Sequence, residues 1–189
     1  MFPISDDRRH AFKFNLDFRY EGGNNYNGPT TKRKVTDKDG NTKVKTIKWL
    51  QNFGVNVTGV VQSGTPYTKL YSQTQKTIVG SFRGARLPWY YRVDLTVDKA
   101  FIIKVGKRTT VLDVFCSVTN VFNIKNITSV YSVTGDPDDD GYLTDPETQT
   151  TIRAQIDEAA YRNYYLMYLN SNYLYSTPRS VEIGVSYQF

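Results

Sequence analysis

The run Asp136-Pro137-Asp138-Asp139-Asp140-Gly141-Tyr142-Leu143-Thr144-Asp145-Pro146-Glu147 spaces its oxygen ligands as a calcium loop of the form D-x-D-x-D-G-x5-E. Asp136, Asp138 and Asp140 fill the first, third and fifth positions, from which alternate carboxylates converge on one ion. Gly141 permits the sharp turn, the Tyr142 carbonyl is the next ligand, Thr144 falls where a water bridge usually sits, and the Glu147 carboxylate closes the shell. The expected cofactor is Ca2+ in a structural role, folding the loop rather than taking part in a reaction. The competing reading is an acidic solvent loop rich in turn residues, which Pro137 and Pro146 stiffen. Helical spacing of Ile152, Ile156, Ala159 or Ala160, Tyr164 and Met167 predicts a helix near 151–168 behind this loop. The segment before it, Ser129–Val133, reads as extended.

Catalytic patterns are few. His10 is the single histidine, at a strand start and facing the apolar side. No nucleophile elbow, phosphate loop, dinucleotide fingerprint or zinc-spaced cluster occurs. Asp94 and Asp98 share a strand face with Arg92, which favours a charge network over the paired carboxylates of a glycosidase. No enzyme activity is expected. Cys116 is alone on an apolar strand face, so no disulfide forms within the chain.

The elements around the loop alternate in period two, which sends successive side chains to opposite faces of a strand. In the last stretch Val181, Ile183, Val185, Tyr187 and Phe189 oppose Ser180, Glu182, Gly184, Ser186 and Gln188. Earlier, Phe12, Phe14, Leu16, Phe18 and Tyr20 share one face, as do Phe53, Val55, Val57, Gly59 and Val61. Trp89, Tyr91, Val93, Leu95, Val97 and Phe101 form a third such face, broken by Lys99; Thr110, Leu112, Val114, Cys116, Val118 and Phe122 form a fourth. Strands are therefore expected near 9–20, 52–63, 89–101, 109–122 and 179–189, with a long outer loop over 124–177. Alternating segments of about ten residues have the length of a transmembrane β-strand. Aromatics near their ends suit the two headgroup levels.

Composition is compatible with that reading. Only 39% of residues are hydrophobic and the mean hydropathy is −0.50; the lack of any run of about 18 apolar residues excludes membrane-spanning helices, but not a barrel whose strands are half polar. Fifteen Tyr and ten Phe suit either a barrel girdle or a glycan-binding surface. The net charge of +6 comes largely from the basic segment 31–48, read as a solvated loop and not as a nucleic-acid site.

Placing the end of the last strand at the periplasmic side makes 104–108 a short inner hairpin and 124–177 an outer loop, as barrels prefer. The count is then five strands starting from outside, whereas a whole barrel has an even number and at least about eight. Residues 1–10 also lack the apolar run of a signal peptide. The expectation is a C-terminal piece of a larger protein.

The succession Asp7-Arg-Arg-His10, Leu50-Gln-Asn-Phe-Gly-Val-Asn56, Ser63-Gly-Thr-Pro-Tyr-Thr68, Arg92-Val-Asp-Leu95, Val118-Thr-Asn-Val-Phe-Asn123 and Pro178-Arg-Ser to Phe189 resembles the end of a TonB-dependent outer-membrane receptor carrying a carboxypeptidase-regulatory-like domain. The resemblance implies an all-β antiparallel meander of about five transmembrane-type strands, forming part of an outer-membrane β-barrel, with one helix in a long outer loop. It implies uptake of a scarce ligand such as a glycan, peptide or metal chelate. The location would be the outer membrane of a Gram-negative bacterium. Its partners would be outer-membrane lipid, the barrel-assembly machinery acting on the terminal strand, the remaining barrel and plug, and the TonB system; nucleic acid is not among them. The alternatives are a soluble β-sandwich that binds glycans through its tyrosines, or a surface adhesion module.

Overall fold

A computed structural model of the chain describes residues 3–36, 42–72, 76–105, 108–170 and 172–188. Residues 37–41 of the basic segment, the centre of the 104–108 hairpin and Phe189 lie outside them. The strands in chain order are β1 (Ala11–Tyr20), β2 (Thr31–Thr36), β3 (Thr42–Ile47), β4 (Phe53–Gln62), β5 (Pro66–Tyr67), β6 (Ala85–Arg86), β7 (Tyr90–Val105), β8 (Arg108–Thr119) and β9 (Ser180–Gln188). Two helices, α1 (Gln149–Arg153) and α2 (Glu158–Leu169), lie between β8 and β9. Strands β1, β4, β7, β8 and β9 form one five-stranded sheet in that order, and β2–β3 and β5–β6 form separate two-stranded ladders.

The register preserves the alternation. Across β7 and β8, Leu95 faces Val118, Val97 faces Cys116 and Phe101 faces Leu112. Across β8 and β9, Leu112 faces Tyr187, Val114 faces Val185, Cys116 faces Ile183 and Val118 faces Val181. Residues directly opposite in an antiparallel pair point to the same face, so these apolar sets merge into one surface. Gly59 extends it on β4: a Cβ there would lie 2.1 Å from the Phe14 ring, so the missing side chain makes room for the aromatic of β1. On the opposite face Arg19 donates to both carboxylate oxygens of Asp98 at 3.0 and 3.1 Å, and Thr96 and Ser117 hydroxyls meet at 3.1 Å.

The sheet is open. β1 and β9 are its two edges, and five strands are too few to curl into a closed cylinder, which needs about eight. This corrects the expected fold: the protein is an open antiparallel sheet with two smaller ladders and two short helices, not a closed transmembrane barrel, and the single expected helix is two. The period-two signal was sound as a statement about each strand's two faces. It carries no information about closure, which depends on strand number and shear.

The chain comprises two compact units, Met1–Lys13 with Val60–Arg92 and Asn123–Pro178, and Phe14–Gly59 with Val93–Phe122 and Arg179–Phe189. In the first, Ile152, Leu169 and Leu174 are buried. α2 begins at Asp157, whose extended backbone and Oδ1, accepting from Ala160 N at 2.9 Å, make a regular N-cap. That cap restarts the helical phase, so one predicted helix becomes two, and Ile156, Tyr164 and Met167 turn to solvent. The second unit holds the five-stranded sheet's central lengths and the basic β2–β3 hairpin. In that hairpin Arg33 stands opposite Lys45 and Val35 opposite Lys43, all exposed.

Candidate functional site

Within the first unit, the acidic loop and the segment after β5 build a cleft with one tyrosine, Tyr71, and a mixed polar and apolar lining. Leu70 N donates to Ser132 O at 2.9 Å, and Tyr71 N donates to Thr77 O at 2.9 Å, so the Tyr71–Ser72 segment is fastened along the loop that starts at Ser129. The recess there measures about 450 Å³ and is lined by Tyr71, Ser72, Thr134, Thr144, Asp145 and Glu147 among others. The Tyr71 ring is 70% exposed. Ser72 Oγ lies 3.2 Å from Asp145 Oδ2 and 3.3 Å from Glu147 Oε2, so two carboxylates share one buried hydroxyl at the floor. Asp145 Oδ1 is fixed separately, accepting from Glu147 N at 2.9 Å.

The six positions expected to ligate calcium have the following partners in the structure. Asp136 Oδ1 accepts from Asp138 N at 2.8 Å, a local turn bond. Asp138 Oδ2 accepts from the Tyr175 hydroxyl at 2.5 Å, and Asp140 Oδ2 from the Tyr165 hydroxyl at 2.6 Å. Asp140 Oδ1 accepts from Tyr142 N at 3.0 Å, the Tyr142 carbonyl accepts from Thr148 Oγ1 at 2.5 Å, and Thr144 Oγ1 donates to Gly141 O at 3.2 Å. Glu147 faces Ser72. Gly141 does take the left-handed turn, at φ +82°. Among the described residues no group of three or more His, Cys, Asp or Glu is arranged to hold a metal ion. In this arrangement Asp138 and Asp140 instead hold tyrosines.

Those tyrosines were not singled out from the sequence. Tyr165 stacks on Tyr142 with ring centroids 4.7 Å apart, Tyr161 donates to the Tyr142 hydroxyl at 3.4 Å, and the Tyr131 and Tyr173 hydroxyls meet at 2.9 Å. For Tyr161 and Tyr165 the signal available was their spacing on α2, where the sequence places Tyr164 and Met167 on the buried face instead; Tyr131, Tyr142, Tyr173 and Tyr175 lie outside that helix. Desolvation, followed by the hydrogen bond to Asp140, holds the Tyr165 hydroxyl well above its ordinary range. Tyr175 is pushed up to about 12, first by desolvation and then by Asp138. Each is a proton held more tightly in the folded than in the unfolded chain, where tyrosine titrates near about 10. The stabilisation is therefore complete below that value and is lost as pH rises from about 10 towards the folded value of about 12 for Tyr175. Tyr165→Phe should flatten this alkaline loss in urea titrations; an unchanged slope would show that the cluster is not coupled to folding.

The other chemical candidates are taken up structurally. Asp98 pairs with Arg19 and Asp94 accepts from Asn120 N at 2.9 Å, so they do not form a free carboxylate pair. His10 stacks flat on Trp89 at 5.9 Å. Asn120 and Asn123 end β8 in left-handed conformations, at φ 54° and 52°, as Asn tolerates.

The open sheet encloses no lumen, which removes the basis for the expected ligand-uptake function, for docking on barrel lipid, assembly machinery, plug or TonB, and for an outer-membrane location. Among the described residues no helix is long and apolar enough to cross a membrane. The comparisons likewise lend the receptor resemblance no support: the chain matches no protein-family model, no curated protein and no solved structure.

Proposed function

We propose that the chain is a non-catalytic module that binds neutral oligosaccharides in the Tyr71–Glu147 cleft. The observation that carries this reading is one exposed ring beside two carboxylates that share a hydroxyl. A pyranose presents a face of polarised C–H groups, which the negative face of a tyrosine ring attracts. Its vicinal hydroxyls are donors, and a carboxylate accepts two at once. The recess of about 450 Å³ lies within the range for small-molecule sites, and mixed apolar and convergent polar lining is what such sites use. Carboxylates at the floor repel anionic sugars, which is why the ligand class is neutral.

A calcium-assisted form of the same site is a second reading, favoured by the full twelve-position pattern of 136–147. It requires the carboxylates of Asp136, Asp138 and Asp140 to converge on one ion. Calorimetric titration with a panel of neutral hexose oligosaccharides tests both readings, run once with EDTA and once with added calcium. Tyr71→Ala and Asp145→Asn should each weaken binding by about tenfold or more, the equivalent of about 1.4 kcal/mol. Tighter binding with calcium, abolished by Asp140→Asn, supports the assisted form. No binding to any neutral sugar, or equal binding by the Tyr71 and Asp145 variants, removes the proposal.

A further inference from the structure

We propose that the apolar face of the five-stranded sheet is a self-association surface, covered by the same face of a second copy, so that two open sheets complete a two-layered sandwich. Within the second unit this face comprises Leu16 and Phe18 on β1, Phe53, Val55 and Val57 on β4, and Leu95, Val97 and Phe101 on β7. Leu112, Val114, Cys116 and Val118 on β8 and Val181, Ile183, Val185 and Tyr187 on β9 complete it; β1 and β4 share it because Gly59 meets the Phe14 ring while Gly54 meets Arg19 and Asp98 on the opposite face. Ile183 is 73% exposed, and Leu16, Phe18, Val181, Val185 and Tyr187 are exposed with it. Among the described residues, every buried hydrophobic side chain belongs to the other unit. A sheet with one oily face needs a second layer about 10 Å away, and nothing within its own unit supplies it.

The occupant follows from size and chemistry. Five strands spaced about 4.8 Å and running about ten residues at 3.3 Å each present roughly 800 Å² of face. A standard protein interface buries about 800 Å² per partner, so one copy of the face matches what a stable dimer requires. The face is also self-compatible. Lys99, the charge lying among its apolar positions, turns its ammonium onto the Trp49 and Gln51 carbonyls. The remaining strand-central positions bring no like charges together when two copies meet. A recess of about 620 Å³ lined by Trp49, Phe101, Ile103 and Leu112 gives large side chains of the second copy a place to enter. The polar face, with Arg19, Asp98 and Glu182, stays in water.

Sedimentation velocity and light scattering on the full chain across a concentration series test this. The expected result is a dimer whose dissociation constant rises at least tenfold in Ile183→Asp and in Leu16→Asp. Glu182→Lys, on the opposite face of β9, should leave it unchanged. Circular dichroism of each variant separates a weakened dimer from a chain that does not fold. As a second readout, Cys116 should react with a maleimide several-fold faster in the dissociated variants than in the native dimer. Three outcomes overturn the proposal: a monomer at all concentrations without detergent, a dimer indifferent to both aspartates, or a chain dispersed only as single copies in detergent micelles. The last would make an acyl phase, rather than a second copy, the cover of this face.

Discussion

Asn126→Ala lowers the unfolding free energy by about 2–3 kcal/mol, because it removes a side chain that takes the place of a strand. Its Oδ1 accepts from Tyr91 N at 2.8 Å and its Nδ2 donates to Tyr91 O at 2.7 Å, the two-way exchange that a neighbouring strand residue would make. Its own carbonyl accepts from Ser176 N at 2.8 Å. One buried residue, 3% exposed, thus satisfies the start of β7 and anchors the segment returning from α2. Alanine leaves a donor and an acceptor unpaired, and each orphaned buried group costs about 1–3 kcal/mol. The partial exposure of Tyr91, which lets water replace part of the loss, keeps the sum below that maximum. Urea unfolding with an unchanged slope reads the effect; a loss below about 0.5 kcal/mol, the level of an ordinary surface substitution, would show that the amide is not an anchor.

Ile152→Ala is expected to cost about 2–5 kcal/mol, the range for emptying a packed aliphatic site. Ile152 is 0% exposed and lies on α1, a helix of five residues with no side-chain cap. So short a helix has almost no stability of its own, and its place depends on burying that one side chain. The effect should reach the cleft, because Thr148, whose carbonyl accepts from Ile152 N at 3.0 Å, also clasps the acidic loop through Tyr142 O and Asp145 O. Loss of oligosaccharide affinity together with stability is therefore expected. Ile152→Val, about 0.5–1.5 kcal/mol, should leave the cleft working. Thermal unfolding of both variants decides the matter: equal midpoints for alanine and the native chain would place the core elsewhere.

How far the residues announced this structure differs from element to element. β9 alternates without a break over Val181–Tyr187, and its register with β8 puts those residues opposite Val118, Cys116, Val114 and Leu112. A strand's two faces are a local property, fixed by backbone geometry at every second residue, and local properties can be read from order alone. α2 was harder. The Asp157 cap was present in the letters, yet the apolar spacing of Ile152, Ile156 and Tyr164 suggested one continuous helix, and only the break at 154–157 reset the phase that turns Tyr161 and Tyr165 inward. The acidic loop shows the same limit. Its spacing matches a calcium site, but the pattern cannot say that tyrosines distant in sequence, Tyr165 and Tyr175, will reach Asp140 and Asp138.

By itself, then, the order of residues determined the five strands of the large sheet, their oily and polar faces and the sharp turn at Gly141, because each depends on neighbours within about ten positions; the basic segment 31–48, read as a loop, instead pairs as β2 and β3. Only the tertiary structure decided that the sheet stays open, that Asn126 substitutes for a strand partner, and that Tyr71 and Ser72 meet Asp145 and Glu147. Those outcomes join residues up to 75 positions apart, and such contacts form only where the whole chain has fixed strand number, register and loop path.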